Sequence, residues 1–157
     1  MTKILVILLF LGSFTQSIAQ DDKDSLRIEL VKYATSFTGV RYQYGGVTSK
    51  GFDCSGFLYH SYRNFNFKVP RTSSGYAAHG KKITLAEAKP GDVIVFTGTN
   101  PKIRKPGHVG IVLSNEAGSL VFIHASSSKK HSGVVRTELN KSNYQARFLY
   151  IKNVIHE

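Results

Sequence analysis

An α+β fold, with N-terminal helices packed on a central antiparallel sheet, is what this sequence predicts, and three observations carry it. Apolar residues recur at helical spacing up to about Gly80, and strand-like alternation takes over after Lys89-Pro90-Gly91. The segments joining the later strands are mostly too short for the helical crossovers that a parallel sheet requires.

In chain order, Asp24 or Ser25 caps a helix that runs to about Phe37. Leu26, Leu30, Val31, Ala34 and Phe37 share one of its faces, and Gly39 stops it. Residues 41–50 form a loop rich in Gly and Tyr. A second helix starts at Asp53 or Cys54 and ends near Asn64, burying Phe57, Leu58, Tyr62 and Phe65. Thr72 caps a short third helix that ends before Gly80. Strands are expected at about 92–97, 108–113, 120–125, 133–138 and 146–154.

Residues 1–19 have the pattern of an export signal: Lys3, an apolar run from Ile4 to Leu11, then Ser17-Ile18-Ala19 with small residues at the cleavage positions. The apolar run falls short of the roughly 20 residues that span a bilayer, so no stable membrane insertion is expected after cleavage. Residues 20–157 then form a single domain, expected to be a monomer in the periplasm or cell wall. Hydrophobic content of 41%, with eight Tyr and ten Phe, excludes a disordered chain. The formal net charge of +11, of which Lys3 supplies one, favours an anionic partner. Export makes nucleic acid a poor choice for that partner, and part of the excess serves solubility alone.

Cys54 is the only cysteine, set in Gly51-Phe52-Asp53-Cys54-Ser55-Gly56-Phe57, so it has no internal disulfide partner. With Asp53 as N-cap, Cys54 falls in the first turn of the second helix, where unpaired backbone N–H groups favour a thiolate and an oxyanion. Ser55 and Gly56 leave the approach uncrowded. The competing reading, a small buried core residue, fits poorly with such polar and small neighbours.

Two histidines, His108 in Gly107-His108-Val109-Gly110-Ile111 and His124 in Phe122-Ile123-His124-Ala125, lie in successive strands. A turn centred on Glu116 pairs positions that sum to 232 and sets His108 directly opposite His124. Gly110, next to His108 on its face, leaves room there for a helix terminus. A lone strand histidine is more often structural, but two facing imidazoles with an activated cysteine make a nucleophile, a base and an orienting group. Metal binding is the rival use of these residues, and neither Cys-x-x-Cys nor His-Glu-x-x-His is present.

These blocks resemble the three active-site motifs of the NlpC-type papain-like cell-wall cysteine peptidases. The resemblance extends to Arg41-Tyr42-Gln43-Tyr44-Gly45-Gly46, Val69-Pro70-Arg71-Thr72-Ser73 and Lys89-Pro90-Gly91-Asp92-Val93, in family order from about residue 26 to 154. Arg41 stands where the family usually has Pro, and Tyr44 where it has Trp. The resemblance implies a papain-like NlpC-type fold and hydrolysis of anionic peptidoglycan stem peptides, typically between γ-D-glutamate and the diamino acid. Cys54 matches the nucleophile, His108 the base and His124 the orienting residue. Tyr42 matches a tyrosine beside the active site, and Ser55 joins it as a candidate substrate or oxyanion contact. No cofactor and no metal are implied. The alternatives are a papain-like amidase or acyltransferase acting on another wall or lipid bond, and a catalytically idle wall-binding module. Lys102, Arg104 and Lys105 before His108, and Lys129, Lys130 and His131 after His124, are expected to rim the cleft.

Overall fold

Val93-Ile94-Val95-Phe96-Thr97 is apolar on both sides of its backbone, and such a strand is stable only inside a sheet covered on both faces. All five residues are buried. The computed structural model describes residues 22–116 and 118–155. The candidate export signal and its cleavage point lie outside the described residues.

The elements run in order as helix α1 (22–35), strands β1 (Val47–Thr48) and β2 (Gly51–Phe52), helix α2 (Cys54–Arg63), a 3-10 turn at Ser73–Ala77 and strand β3 (Lys81–Ile83). Strands β4 (Val93–Thr97), β5 (Pro106–Glu116), β6 (Ser119–Ser126) and β7 (Gly133–Glu138) follow, then helix α3 (Tyr144–Arg147) and strand β8 (Phe148–Asn153). Six strands form one sheet in the order β3-β8-β4-β5-β6-β7, every pair antiparallel. This is the expected α+β arrangement, with two short strands, β1 and β2, forming a separate hairpin.

The period-2 alternation of the strands sorts their side chains onto two apolar layers. Val93, Val95, Val109, Ile111, Ile123 and Ala125 meet Leu30 and Ala34 of α1 and Phe57, Leu58 and Tyr62 of α2. On the other face Ile94, Phe96, Val112, Leu120, Phe122 and Ile151 pack with Tyr144 and Phe148. Each such side chain, fully buried, contributes about 1.5–3 kcal/mol.

Several expectations need correction. Thr72 does cap a turn, its hydroxyl accepting from the Gly75 N–H at 3.3 Å, but the turn is 3-10 rather than α. The last strand begins at Phe148, because 144–147 form one helical turn first. Strand β3 and the β1–β2 hairpin carry no sequence signal, because two or three residues show no readable period. Arg27, a charged residue within the first helix, is buried. Its guanidinium donates to Asp92 Oδ1 at 2.9 Å, Pro90 O at 2.8 Å and Asn153 Oδ1 at 3.0 Å, clamping α1 to the start of β4 and the end of β8. A buried ion pair of this kind is costly to break by removing one partner.

Candidate active site

Helix α2 starts where the sequence places it. Asp53 has extended backbone geometry, and its Oδ1 accepts from the Gly56 N–H at 2.6 Å, a charged N-cap. Arg71 holds that carboxylate with both arms, Nη1 to Oδ1 at 2.9 Å and Nη2 to Oδ2 at 2.8 Å, and Nη1 also reaches Ser55 Oγ at 2.9 Å. Burial pushes the Asp53 carboxyl up, but Arg71 and the Gly56 N–H outweigh it and hold it below its ordinary range. The Ser55 hydroxyl donates to Asp53 Oδ1 at 3.2 Å, so its donor and acceptor are both engaged in this cap network. Ser55 therefore faces Cys54 through its backbone N–H rather than its side chain.

Gly46 and Gly56 bring the loop against this helix start. A Cβ on Gly56 would lie 1.9 Å from the Gly46 carbonyl oxygen and 3.0 Å from Asp53 Oδ1. Gly→Ala inside a helix is ordinarily favourable by about 1 kcal/mol. Here Gly56→Ala is expected to reverse that sign and lower the melting temperature sharply. A Gly56→Ala protein as stable as wild type by thermal denaturation would contradict this packing.

Cys54 is half-buried at the first position of α2. Burial pushes its thiol up, and the Asp53 charge adds to this. The backbone N–H groups of Val109, Ser55 and Cys54 draw it down but do not win. The expected thiolate-favouring shift is thus reversed in the free site, because desolvation of the anion exceeds the stabilisation by helix-end donors. The Val109 N–H matters for a second reason, since it brings the residue after His108 to the sulfur. Tyr42, bridged to Phe52 beside the helix start, is half-buried, and its hydroxyl is pushed up by burial, then by Cys54 and Asp53. Tyr44, two residues on, is 91% exposed.

The two histidines meet, but not by the expected register. Near the hairpin tip Glu116 pairs Ser119 and Asn115 pairs Leu120, whereas past a bulge at Leu113 the partners are Val112–Phe122 and Ile111–Ile123. Continued without the bulge, the tip register would turn His108 and His124 to opposite faces, since a one-residue slip inverts a strand. The extra residue restores the parity. His124 then stands across from Gly110, two positions along the strand from His108. Gly110 has no side chain to obstruct the ring: a Cβ there would lie 2.8 Å from Phe122 Cδ2 and 3.3 Å from His124 Cβ. The gap admits Phe122 and His124 rather than a helix terminus.

The rings stand edge to face at 89°, with His108 Nε2 2.9 Å from His124 Nδ1. His124 Nε2 lies 3.0 Å from Thr137 Oγ1 on β7. That leaves His108 Nδ1 as the nitrogen outside the chain of contacts. Phe96, Phe122 and Tyr144 enclose the pair, with the Tyr144 ring centroid 5.4 Å from His108 and 4.9 Å from His124. Burial therefore pushes His108 well below its ordinary range, helped by the charges of His124 and Arg147. His124 is lowered to about 3 by burial and then by Arg147. Both rings are neutral at pH 7. Among the described residues no hydrogen bond joins the Cys54 thiol to His108, and such contacts commonly tighten only around substrate.

A cleft of about 690 Å³ opens beside the histidines, lined among others by Thr99, Ser126, Lys130, Arg136, Thr137, Tyr144 and Arg147. Thr137, Tyr144 and Arg147 were not legible as site residues, because β7 and a four-residue helix carry no motif. Tyr144 follows a polar run and reads as loop. Of the two expected basic clusters, Lys130 and His131 line this cleft. Arg104 is turned instead to Phe148 O at 2.6 Å and Ala146 O at 3.2 Å, strapping its loop to β8. Among the described residues no group of three His, Cys, Asp or Glu could hold a metal ion, and no helix is long and apolar enough to cross a membrane.

Known proteins share both the sequence and the fold. The chain is 30% identical over 154 residues to murein DD-endopeptidase MepS/murein LD-carboxypeptidase of Escherichia coli K12, covering 92% of this chain and 76% of that protein. It is 37% identical over 121 residues to the probable endopeptidase NlpC of the same organism, covering 76% and 72%. A crystal structure of an NlpC/P60 family protein from Bacillus cereus has the same fold, with a TM-score of 0.73 at 22% identity. The match covers 82% of this chain but spans only 40% of that one. The NlpC/P60 family model matches residues 39–153, and this chain belongs to that family.

Proposed function

We propose that this protein is an exported cysteine peptidase that hydrolyses peptidoglycan stem peptides, with Cys54 as nucleophile, His108 as base and His124 as orienting residue. The observation that carries the reading is that the N–H of Val109, next to His108 on β5, reaches the Cys54 sulfur, while His108 contacts the buried His124 of β6. The names of the relatives, a murein endopeptidase and a probable endopeptidase, support the substrate class.

The pKa directions give the order of events. With the thiol raised and His108 lowered, the resting pair is thiol and neutral imidazole rather than thiolate and imidazolium. His108 Nδ1 takes the thiol proton as sulfur attacks the scissile carbonyl. Backbone N–H groups at the start of α2 hold the oxyanion. His108 returns the proton to the leaving nitrogen as the C–N bond breaks, leaving a thioester. Water, deprotonated by His108, then releases the acid and restores the thiol.

For Nδ1 to be a lone pair, His108 Nε2–H must donate to His124 Nδ1, and His124 Nε2–H to Thr137 Oγ1. Thr137 thus acts as a positioning residue for the tautomer. Thr137→Val is expected to lower kcat by about tenfold or more, the scale of one lost buried hydrogen bond, with KM little changed, whereas Thr137→Ser retains activity. A Val variant with the kcat of wild type would remove Thr137 from this role.

The bond we propose is that between γ-D-glutamate and the diamino acid. The cross-link bond is the second reading, favoured by the DD-endopeptidase named in the most extensive of the matches above. Defined muropeptides decide between them by mass. Release of L-Ala-γ-D-Glu supports the first, separation of cross-linked dimers into intact stems supports the second, and peptides freed from sugar would point to an amidase. No product from any of these would refute a wall peptidase.

A further inference from the structure

The cleft beside the histidines has a basic lining that the chemistry at Cys54 does not use. Arg147 Nη2 donates to Thr97 O at 3.1 Å, and the guanidinium lies 4.5 Å from the centre of the Tyr144 ring. Its Nε is buried without a hydrogen-bond partner. Among the described residues Arg147 forms no ion pair, nor do Lys130 and Arg136 on the same lining. Lys141 is neutralised by Glu138 at 3.0 Å. A half-buried, uncompensated guanidinium beside a base is unfavourable for the reaction, because His108 must become cationic while Arg147 repels that charge. An anion bound at Arg147 would remove the penalty.

The position of the cleft says which part of the substrate brings that anion. A base that protonates the leaving nitrogen must touch the leaving residue. The cleft is bounded by His108 and His124, and neither Cys54 nor Tyr42 lines it. The acyl side therefore lies toward Cys54 and Tyr42, and the amine side extends past His108.

We infer that this cleft is a subsite for the leaving-side residue, in which Arg147, with Lys130 and Arg136 at the rim, receives a free carboxylate on that residue. The preferred substrate is a peptide whose amine-side residue keeps an unamidated carboxylate, as a wall diamino acid does. The hydrogen bond to Thr97 engages Nη2 and leaves the Nη1 donors for a carboxylate, and the Tyr144 ring supports the guanidinium from one side. The inference rests on the proposed peptidase reading for its orientation, yet it is tested separately.

Two stem peptides with the same scissile bond are compared, one with the diamino-acid carboxylate free and one with it as carboxamide. Wild type is expected to favour the carboxylate at least tenfold in kcat/KM. Arg147→Gln should bring that ratio close to one, and Lys130→Gln should lower it at least twofold. The ratio cancels any effect of Arg147 on His108 itself, because both substrates share the base. A ratio near one in wild type, or one unchanged in Arg147→Gln, overturns the subsite. If Arg147→Gln does not fold, an unchanged ratio in Lys130→Gln, at an exposed position, overturns it. Should neither peptide be cut, the peptidase reading fails and binding still decides the subsite. Titrating Cys54→Ala protein with meso-diaminopimelate and its diamide should give at least fivefold tighter binding of the acid, lost in the Cys54→Ala/Arg147→Gln protein. Equal affinity, or no binding of the acid, overturns the inference.

Discussion

Cys54→Ala is expected to abolish stem-peptide hydrolysis by about a thousandfold or more while leaving the fold intact. Removal of an attacking atom eliminates the covalent route altogether, so the residual rate reflects only binding and oriented donors. The helix has no need of the thiol. Asp53 still caps the Gly56 N–H, Arg71 still fixes the Asp53 carboxylate, and alanine is the best helix former. The side chain is only half-buried, so the lost contact area is small. Product release followed by mass, together with thermal denaturation, measures both halves. Near wild-type turnover in a folded Cys54→Ala protein would remove the nucleophile assignment, and with it the thioester mechanism.

A large acid-side loss of stability is expected from the buried pair of rings proposed as base and orienting residue. His108 lies well below the ordinary imidazole range and His124 at about 3, whereas both would titrate near 6.5 in the unfolded chain. Between those limits the unfolded state binds more protons than the folded one. The stabilisation is therefore complete above about pH 6.5 and declines as pH falls toward the folded values. Each ring adds at most one proton to the difference between the two states, a slope of about 1.4 kcal/mol per pH unit. A fall in melting temperature of about 10 °C between pH 6.5 and 4.5 is the corresponding scale. Asp92 works in the opposite sense, because burial holds its carboxyl above the ordinary value. His124→Asn keeps an acceptor for His108 but cannot be protonated in this range, so its melting temperature should fall about half as far over the same interval. The same pH slope in wild type and His124→Asn would show that the buried pair is not its source.

Much of the fold was legible because its signals are local. The helix at Cys54–Arg63 follows from Asp53 as a cap and from Phe57, Leu58 and Tyr62 at helical spacing. Strand β7 spans the residues that alternation predicts, 133–138, and β4 lies within one residue of its expected limits. The short elements were not legible, since β3 and α3 owe their form to neighbours rather than to a period of their own. Arg71 shows the boundary well. Nothing in its local sequence names its partner, and only the chain's path brings both its arms onto Asp53.

The sequence alone determined the family resemblance, the α+β order of elements, Cys54 at a capped helix start, and the placing of His108 and His124 on successive strands of one hairpin. Each rests on residue type, on local periodicity and on the order of motifs along the chain. Tertiary structure decided the rest. The bulge at Leu113 sets the parity that turns both rings to one face, and Gly110 gives His124 the room to reach His108. Enclosure by Phe96, Phe122 and Tyr144 makes the pair neutral, and burial of Cys54 reverses the pKa direction expected from its helix position. Charge stabilisation depends on how much solvent has been removed around a group. Packing among residues distant in sequence sets that quantity, and no motif encodes it.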